Sequence, residues 1–269
     1  MPFKIMLDAG HYAKYNQSPV VSAYYESNMN WKLHLLLKDE LEKLGFIVGT
    51  TRKEKDKDLS LTNRGKAAQG YDLLLSLHSN ACGTESVDYP VAIVMQDGKG
   101  DELGRKLAIC AEEVMGTRQS GRISKKKGTY GGEWYSVLAG AASVGTMGII
   151  LEHSFHTNEA AAKWLLNDNN LSRLAKAEAQ VISEYFGVQP VKADTVTVAL
   201  PILRKGSKGE AVEALQILLD GWGYELPEFG ADGDFGAETD KALRLFQKDN
   251  CLTVDGIAGS ETWNCLLGN

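Results

Sequence analysis

The chain has 269 residues, 43% of them hydrophobic, which is enough for one large domain with its own core and one smaller domain. Its formal net charge of −6 lies in residues 201–269, which carry six basic and twelve acidic side chains, while residues 1–200 are balanced. This distribution argues against a nucleic-acid partner, and no apolar run approaches the length needed for membrane insertion. The four cysteines form no CxxC pair, which favours reduced thiols over a disulfide framework.

Strand and helix patterns alternate along residues 1–188 and predict an α/β domain, a mixed twisted sheet flanked by helices. The predicted elements, in chain order, are a strand over residues 3–7, a helix over 29–44, a strand over 46–50, a helix over 61–69, strands over 71–80 and 91–95, a helix over 101–115, a strand over 148–151, and helices over 159–166 and 171–186. A polar segment over residues 12–25 leads to Glu26. Residues 116–132, rich in glycine, are predicted to form a long functional loop.

The stretch 71–80, YDLLLSLHSN, is the strongest strand signal in the chain. Its short apolar run is typical of a strand that is buried on both faces of a sheet. Such a strand carries His78 to the carboxyl edge, where open α/β sheets place their ligands. The strand over residues 3–7 runs similarly toward His11, and the strand over 148–151 toward Glu152. Three strands that each lead to a His or a Glu predict a functional site.

Two histidines and a glutamate, with a water in the fourth position, are a common catalytic zinc set. His11, Glu26 and His78 are therefore candidate Zn²⁺ ligands. Glu152 is the candidate that moves a proton in the reaction, because a second carboxylate usually has this role beside zinc. Spacing alone leaves other choices open.

Four further side chains compete for a place in this site. His34 lies within the amphipathic helix, where packing or surface exposure is its ordinary role. His153 should point away from Glu152 if the strand continues. His156 is a candidate for a role near the metal, through contact with the substrate. Cys82 could ligate zinc, although a small buried residue is the commoner case.

Residues 189–200 contain Pro190 and show no helical period, so they are predicted to be a linker. Beyond them the motif DGxxGxETxxxL occurs twice, starting at Asp232 and at Asp255, 23 residues apart. The repeat indicates that a glycine-rich turn leading into a helix has been duplicated. With a third helical stretch after Gly209, it predicts a small all-α three-helix C-terminal domain over residues 201–269.

Six segments of the first domain occur together in one known family. They are LDAGH (7–11), Glu26 with Asn30, TR (51–52), LTNRGKAA (61–68), LLSLHSNA (74–81) and ILEHSFHTN (150–158). In this order they resemble the zinc-dependent N-acetylmuramoyl-L-alanine amidases of the amidase-3 type, over about residues 3–187. The resemblance implies that residues 1–188 form a zinc amidase catalytic domain.

The resemblance also implies the roles of four residues. The family's zinc ligands correspond to His11, Glu26 and His78, and its catalytic glutamate to Glu152. One departure is that Tyr12-Ala13 replaces the usual glycine pair after the first histidine, which changes the expected shape of that loop.

The tail resembles a three-helix peptidoglycan-binding module, through LRKGSKGEAVEALQ (203–216), FQ (246–247) and DGIAGSETW (255–263). Together the two resemblances imply a peptidoglycan hydrolase. It would cut the amide between N-acetylmuramic acid and the L-alanine of the stem peptide, using zinc-activated water with Glu152 as the proton carrier. A zinc peptidase that cuts within the stem peptide and a non-catalytic wall-binding protein are the alternatives.

The first methionine is followed almost at once by a predicted strand, so no signal peptide is expected. The protein is therefore expected to be made in the cytoplasm and to act on the cell wall after release. A phage or prophage endolysin fits this expectation best, and a sporulation mother-cell wall amidase comes second.

Overall fold

Residues 2–129, 131–188, 200–250 and 252–267 are described by a computed structural model. The chain divides into two units, Met1–Ala193 and Asp194–Asn269. The predicted linker, residues 189–200, lies outside the described residues except for its last position. None of the described helices combines the length and apolarity that a bilayer crossing requires.

The described part of the first unit contains one mixed sheet. Its strands are β1 (Lys4–Ala9), β2 (Ile47–Thr50), β3 (Leu73–Asn80), β4 (Val91–Val94), β5 (Arg122–Ser124) and β6 (Met147–Phe155). They lie in the order β2-β1-β3-β6-β4-β5. Strand β4 is antiparallel to β6, and the other neighbouring pairs are parallel.

Helices cover both faces of this sheet. They are α1 (Glu26–Lys43), α2 (Leu61–Lys66), α3 (Asp101–Met115), α4 (Ser136–Ser143), α5 (Glu159–Leu166) and α6 (Asp168–Phe186). One apolar core joins α1, α3, α5 and α6 to the sheet, and a second joins α4 and the residues just after α2 to the opposite face. A mixed sheet flanked by helices confirms the predicted fold class.

Strand β3 shows why its sequence is almost uninterrupted in apolar residues. Leu73, Leu75 and Leu77 are fully buried in the first core, and Leu74 is fully buried in the second. Successive side chains of a strand point to opposite faces, so a strand covered by helices on both faces carries apolar residues on both of them. Each fully buried leucine contributes roughly 1.5–3 kcal/mol of stabilisation.

Several features of the first unit differ from the sequence prediction, and among them strand β6 runs to Phe155, four residues past its predicted end. Helix α1 begins at Glu26, three residues before the predicted start, so Glu26 lies in its first turn. Strand β5 lies within the predicted loop 116–132, where an RIS segment pairs with β4 at the sheet edge. Helix α4, SVLAGAAS, was not predicted, because its small residues carry no amphipathic period.

Small residues are required in α4 because it lies very close to α2. A Cβ at Gly140 would collide with the Thr62 carbonyl oxygen and approach the Gly65 Cα to 3.0 Å. A Cβ at Gly65 would in turn collide with the Val137 carbonyl oxygen. The two glycines therefore let the helix backbones touch, at the cost of helix propensity.

Gly140→Ala should destabilise the first unit by about 1–3 kcal/mol, because the added methyl group meets backbone that cannot move aside. Gly83→Ala is the matched control, since a Cβ at Gly83 meets nothing within 4 Å. Differential scanning calorimetry of the full chain measures both variants. Equal melting temperatures for the two would contradict this account of the α2–α4 contact.

The second unit is a three-helix bundle in its described residues, as predicted. Its helices are α7 (Glu210–Gly221), α8 (Ala237–Asp249) and α9 (Ser260–Leu266). They enclose a separate apolar core that includes Leu215, Phe235, Phe246 and Trp263. The unit therefore has a core of its own.

A buried glutamine explains the repeated DG motif. In the first copy, Nε2 of Gln216 donates to Asp232 Oδ1 at 2.9 Å, and Oε1 accepts from the Gly233 N–H at 2.8 Å. In the second copy, Gln247 makes the same pair of contacts with Asp255 and Gly256, each at 2.9 Å. Each turn is thus held by one glutamine amide, which satisfies the backbone of a left-handed glycine.

Candidate metal and catalytic site

The parallel neighbours β1, β3 and β6 bring their carboxyl ends to one edge of the sheet. His78 lies near the end of β3, and Glu152 of β6 pairs with it in register. His11 lies two residues after the end of β1, and Glu26 begins α1. The fold therefore places all four predicted site residues at the edge where open α/β sheets hold their ligands.

His11, Glu26 and His78 form a compact donor cluster. Each offers one ligand atom, and these atoms all lie within 4.8 Å of one another. Nε2 of His11 is 3.4 Å from Oε2 of Glu26, and Nδ1 of His78 is 2.9 Å from Oε1 of Glu26. Two imidazoles and one carboxylate are the donor set of many catalytic zinc sites, so these residues fit a zinc ion.

The Glu26 carboxylate is almost fully buried and is held on both oxygens. Oε1 accepts a hydrogen bond from the Ser79 backbone N–H at 3.1 Å, and Oε2 accepts one from Asn16 Nδ2 at 2.7 Å. Burial alone would raise the pKa of Glu26. The hydrogen bond to His78 and the charges of His78 and His11 outweigh burial and lower this pKa to about 2. Its place in the first turn of α1 also favours a negative charge.

The surroundings shift the pKa values of the two histidines in opposite directions. Burial lowers the pKa of His11, and the charge of His78 adds to this effect, although Glu26 opposes it. Burial also acts to lower the pKa of His78, but the hydrogen bond and charge of Glu26 raise it to about 9. A metal cation bound to His78 would therefore replace a proton.

The backbone before His11 is shaped for a close approach to β3. A Cβ at Gly10 would collide with the His78 ring, so this position must be glycine. Asn30 Nδ2 donates to the Gly10 carbonyl at 3.1 Å. His11 itself has φ of 58°, in the left-handed region that residues other than glycine rarely adopt. Contacts from α1 and β3 thus fix where the His11 imidazole lies.

Two buried arginines hold the end of β1. Arg52 donates to the Ala9 carbonyl through Nε at 3.2 Å and Nη2 at 3.0 Å, and Arg64 Nη1 donates to the same oxygen at 3.3 Å. Nη1 of Arg64 also lies 3.5 Å from the buried Asp8 carboxylate, which accepts a 2.7 Å hydrogen bond from Ser76. The TR and LTNRG segments therefore act on His11 through the backbone that precedes it.

Glu152 differs from Glu26 in having little to stabilise its charge. Its Oε2 atom is buried and has no hydrogen-bond partner among the residues that the structure describes. Burial raises the pKa of Glu152 to about 7; the negative charge of Glu26 adds to the rise, while His78 opposes it. A carboxyl group with a pKa near neutrality is able both to accept and to donate a proton.

None of the four competing side chains belongs to the donor cluster, and two of them make local hydrogen bonds. His34 is 1% exposed, and its Nδ1 hydrogen-bonds the Trp31 carbonyl at 2.6 Å. Cys82 donates from Sγ to the Thr84 carbonyl at 3.2 Å. Both contacts are local, and neither side chain belongs to the group that could hold a metal ion.

His153 and His156 are buried next to the end of β3 and contact His78 and Ser79. His153 is fully buried, with Nε2 2.8 Å from Oε1 of Glu178 and Nδ1 2.9 Å from the His78 carbonyl oxygen. His156 is 4% exposed, and its Nδ1 is 2.9 Å from Ser79 Oγ. The structure does not bring His156 into the donor cluster, and its contact with substrate stays a prediction.

Sequence reasoning missed two residues that hold Glu26. Asn16 lies in the polar segment 12–25, where no periodicity marks it. Ser79 directly follows His78, but it acts through its backbone N–H, which leaves no signal in the residue type. Oγ of Ser79 also lies 2.7 Å from the Tyr24 hydroxyl, so both the backbone and the side chain of Ser79 are held.

The fold and the cluster define an α/β protein with a metal-capable site at the carboxyl edge of its sheet. The N-acetylmuramoyl-L-alanine amidase family model matches residues 5–184, and a peptidoglycan-binding domain model matches residues 208–266. The chain therefore belongs to the N-acetylmuramoyl-L-alanine amidase family, which confirms the resemblance found in the sequence.

Individual relatives match shorter stretches. The chain is 32% identical over 124 residues to the N-acetylmuramoyl-L-alanine amidase CwlL of Bacillus licheniformis, which is 44% of this chain and 33% of that protein. It is 44% identical over 62 residues to the zinc D-Ala-D-Ala carboxypeptidase of Streptomyces albus G, which is 23% of this chain and 24% of that protein. The chain thus spans a third or less of the length of these relatives.

Solved structures share the fold. An N-acetylmuramoyl-L-alanine amidase from Clostridium difficile 630 superposes with a TM-score of 0.59 and 21% identity, over 70% of this chain and 98% of that chain. The catalytic domain of CwlV from Bacillus (Paenibacillus) polymyxa var. colistinus superposes with a TM-score of 0.57 and 20% identity, over 70% and 99% of the two chains. At these identities the likeness establishes the fold.

Proposed function

We propose that the chain is a zinc-dependent peptidoglycan hydrolase that cuts the amide between N-acetylmuramic acid and the L-alanine of the stem peptide. The observation that carries the proposal is the pairing of Glu152 with His78 in register. It sets a carboxyl oxygen that has no hydrogen-bond partner among the described residues beside a His-Glu-His donor cluster. Membership of the amidase family supports the choice of bond.

His11, Glu26 and His78 would hold the zinc ion. When bound there, zinc would polarise the scissile carbonyl and make a water more acidic. Glu26 supplies a carboxylate that stays ionised, because its pKa lies at about 2. Its second role is to hold the His78 ring at 2.9 Å and the backbone of Ser79 at 3.1 Å.

Glu152 would move the proton. In its ionised form it accepts a proton from the attacking water as the new C–O bond forms at the lactyl carbonyl. It then gives this proton to the alanine nitrogen as the C–N bond breaks, which releases a carboxylic acid and an amine. A pKa raised to about 7 suits both transfers near neutral pH.

The second unit would bind the wall. Its match to a peptidoglycan-binding domain and its separate core support this role. Peptidoglycan is thus the proposed partner of both units, and the balanced or acidic charge of the two units gives no reason to expect nucleic acid.

His78→Ala should remove zinc. We expect the wild-type chain to hold about one tightly bound zinc ion, and the variant to lose most of it, because two donors cannot replace three. Metal analysis after dialysis measures the content, and circular dichroism checks the fold. Cys82→Ser is the control and should keep its zinc. A folded His78→Ala protein with full zinc would exclude the ligand set.

Glu152→Gln keeps the size of the side chain but removes its basic oxygen. The variant should fold and keep its zinc, while turnover of purified walls falls by roughly two to four orders of magnitude, the usual contribution of a positioned acid or base. Glu159→Gln, an exposed change on α5, should leave turnover unchanged.

The products identify the bond. Wild-type digestion should free L-alanine amino termini without new reducing sugar ends, as read by mass spectrometry and end-group assay. Cuts inside the stem would instead indicate the zinc peptidase, and new reducing ends would indicate a glycosidase. If well-folded, zinc-loaded protein releases no product, the remaining alternative is a non-catalytic wall-binding protein.

A fragment of residues 200–269 should sediment with purified walls without cutting them. Because this part of the chain has a net charge near −6, its binding cannot rest on attraction to anionic wall polymers and should survive moderate salt. A fragment of residues 1–188 is the complement and should cut walls but sediment less. A 200–269 fragment that stays in the supernatant would contradict the wall-binding assignment.

We further propose that the protein is made in the cytoplasm and acts on the cell wall after it is released, as a phage or prophage endolysin. A sporulation mother-cell wall amidase is the alternative. The joining of a wall-cutting unit to a wall-binding unit suits a lytic role. Bacteria that express the chain should lyse when a separate membrane pore former is co-expressed. Lysis without the pore former would contradict this release route.

A further inference from the structure

Two exposed tyrosines stand beside the donor cluster. The Tyr15 ring stacks on the His11 imidazole with centroids 5.1 Å apart and planes 11° apart, and the Tyr12 ring follows at 6.4 Å and 15°. Tyr15 is 53% exposed and Tyr12 is 42% exposed. The three rings therefore form a layered stack that begins at a predicted metal ligand and ends in exposed aromatic surface.

The loop that carries these rings is held in a defined shape. The Tyr15 N–H donates to Ser27 Oγ at 2.9 Å, and this hydroxyl donates to the Ala13 carbonyl at 2.7 Å. The Glu26 N–H donates to the Asn16 carbonyl at 3.0 Å. Ala13 and Asn16 have φ of 50° and 51°, which costs energy in residues other than glycine. Contacts with α1 impose this shape, so the rings are positioned and not loosely attached.

The position of the stack limits what it can touch. A substrate whose scissile carbonyl reaches the cluster has a sugar on one side of that carbonyl and a peptide on the other. The first residue of the peptide is alanine, whose methyl group covers little of an aromatic ring. A pyranose ring instead presents a broad face of C–H groups, which suits the electron-rich face of an aromatic ring. A tyrosine hydroxyl can both donate and accept a hydrogen bond, which suits sugar hydroxyls.

We propose that Tyr12 and Tyr15 form a sugar subsite, on which a pyranose ring of the glycan stacks while the lactyl amide lies at the donor cluster. This inference rests on the proposed amidase function and goes beyond it, because it assigns the glycan side of the substrate to two residues. Since the stack touches His11 directly, sugar binding would place the amide relative to the reacting groups.

A double-mutant cycle between ring and sugar tests the subsite. The full-length, zinc-loaded chain with Glu152→Gln serves as the parent, so that ligands are not turned over. The ligands are an N-acetylmuramoyl peptide and a lactoyl peptide of the same sequence without the sugar. NMR titration measures both affinities for the parent, for Tyr12→Ala, for Tyr15→Ala and for the control Trp134→Ala. Trp134 is also exposed, but its ring lies under Lys126 at 4.0 Å.

Each tyrosine variant should bind the muramoyl peptide about three- to tenfold more weakly, the size expected for one aromatic stacking contact. The lactoyl peptide should bind all proteins alike, and Trp134→Ala should match the parent. Tyr15→Phe should retain most of the affinity, because the ring is kept. Zinc content, measured in every variant, should not change.

Three results would overturn the subsite. If a tyrosine variant binds both ligands equally more weakly, the rings either touch the peptide or only support His11. Loss of zinc in Tyr15→Ala would show that they support His11. No weakening for either ligand would mean that the rings are idle. No affinity difference between the two ligands in the parent would mean that the sugar is not bound. Failure of the amidase function is seen separately, as wild-type protein that frees no L-alanine amino termini from walls.

Discussion

The site depends on one buried carboxylate. Glu26 joins the loop after β1, the start of α1 and the end of β3, through Asn16 at 2.7 Å, His78 at 2.9 Å and Ser79 at 3.1 Å. A carboxylate removed from water is costly unless its charge is paired and its oxygens are hydrogen-bonded. These partners meet that cost, and in doing so they bring three segments that are far apart in the sequence to one point. The donor cluster is therefore organised by the protein itself.

Two glutamates at the same sheet edge have opposite properties because their surroundings differ. Glu26 is surrounded by donors and positive charge, which lower its pKa to about 2, whereas burial and the charge of Glu26 raise the pKa of Glu152 to about 7. Pairs of titratable groups whose pKa values are pushed apart mark an assignment of roles. The first glutamate is suited to bind a cation, and the second to accept and donate a proton near neutral pH.

The second unit uses the same physical principle with a neutral group. Gln216 and Gln247 are each 1% exposed, and each amide satisfies the backbone of a glycine turn and the aspartate that begins it. A buried amide must have its donors and acceptors satisfied, so these turns have one shape in both copies of the repeat. The repeat seen in the sequence is thus a repeated hydrogen-bonded clamp.

Elements whose signals are local could be predicted from the residues alone. The buried strand β3, the helix Asp101–Met115 and the α/β class were predictable. The spacing of apolar residues and the residues that end a helix lie within each segment. Family motifs also identified His11, Glu26, His78 and Glu152 as the candidate set. Helix α4 could not be predicted, since its small residues reflect contact with α2 and not an amphipathic period. The contacts of Asn16 and Ser79 with Glu26, and the stacking of Tyr15 on His11, are visible only in the folded chain. These contacts join residues across loops that have no period, so only the packing of α1 against the sheet brings them together.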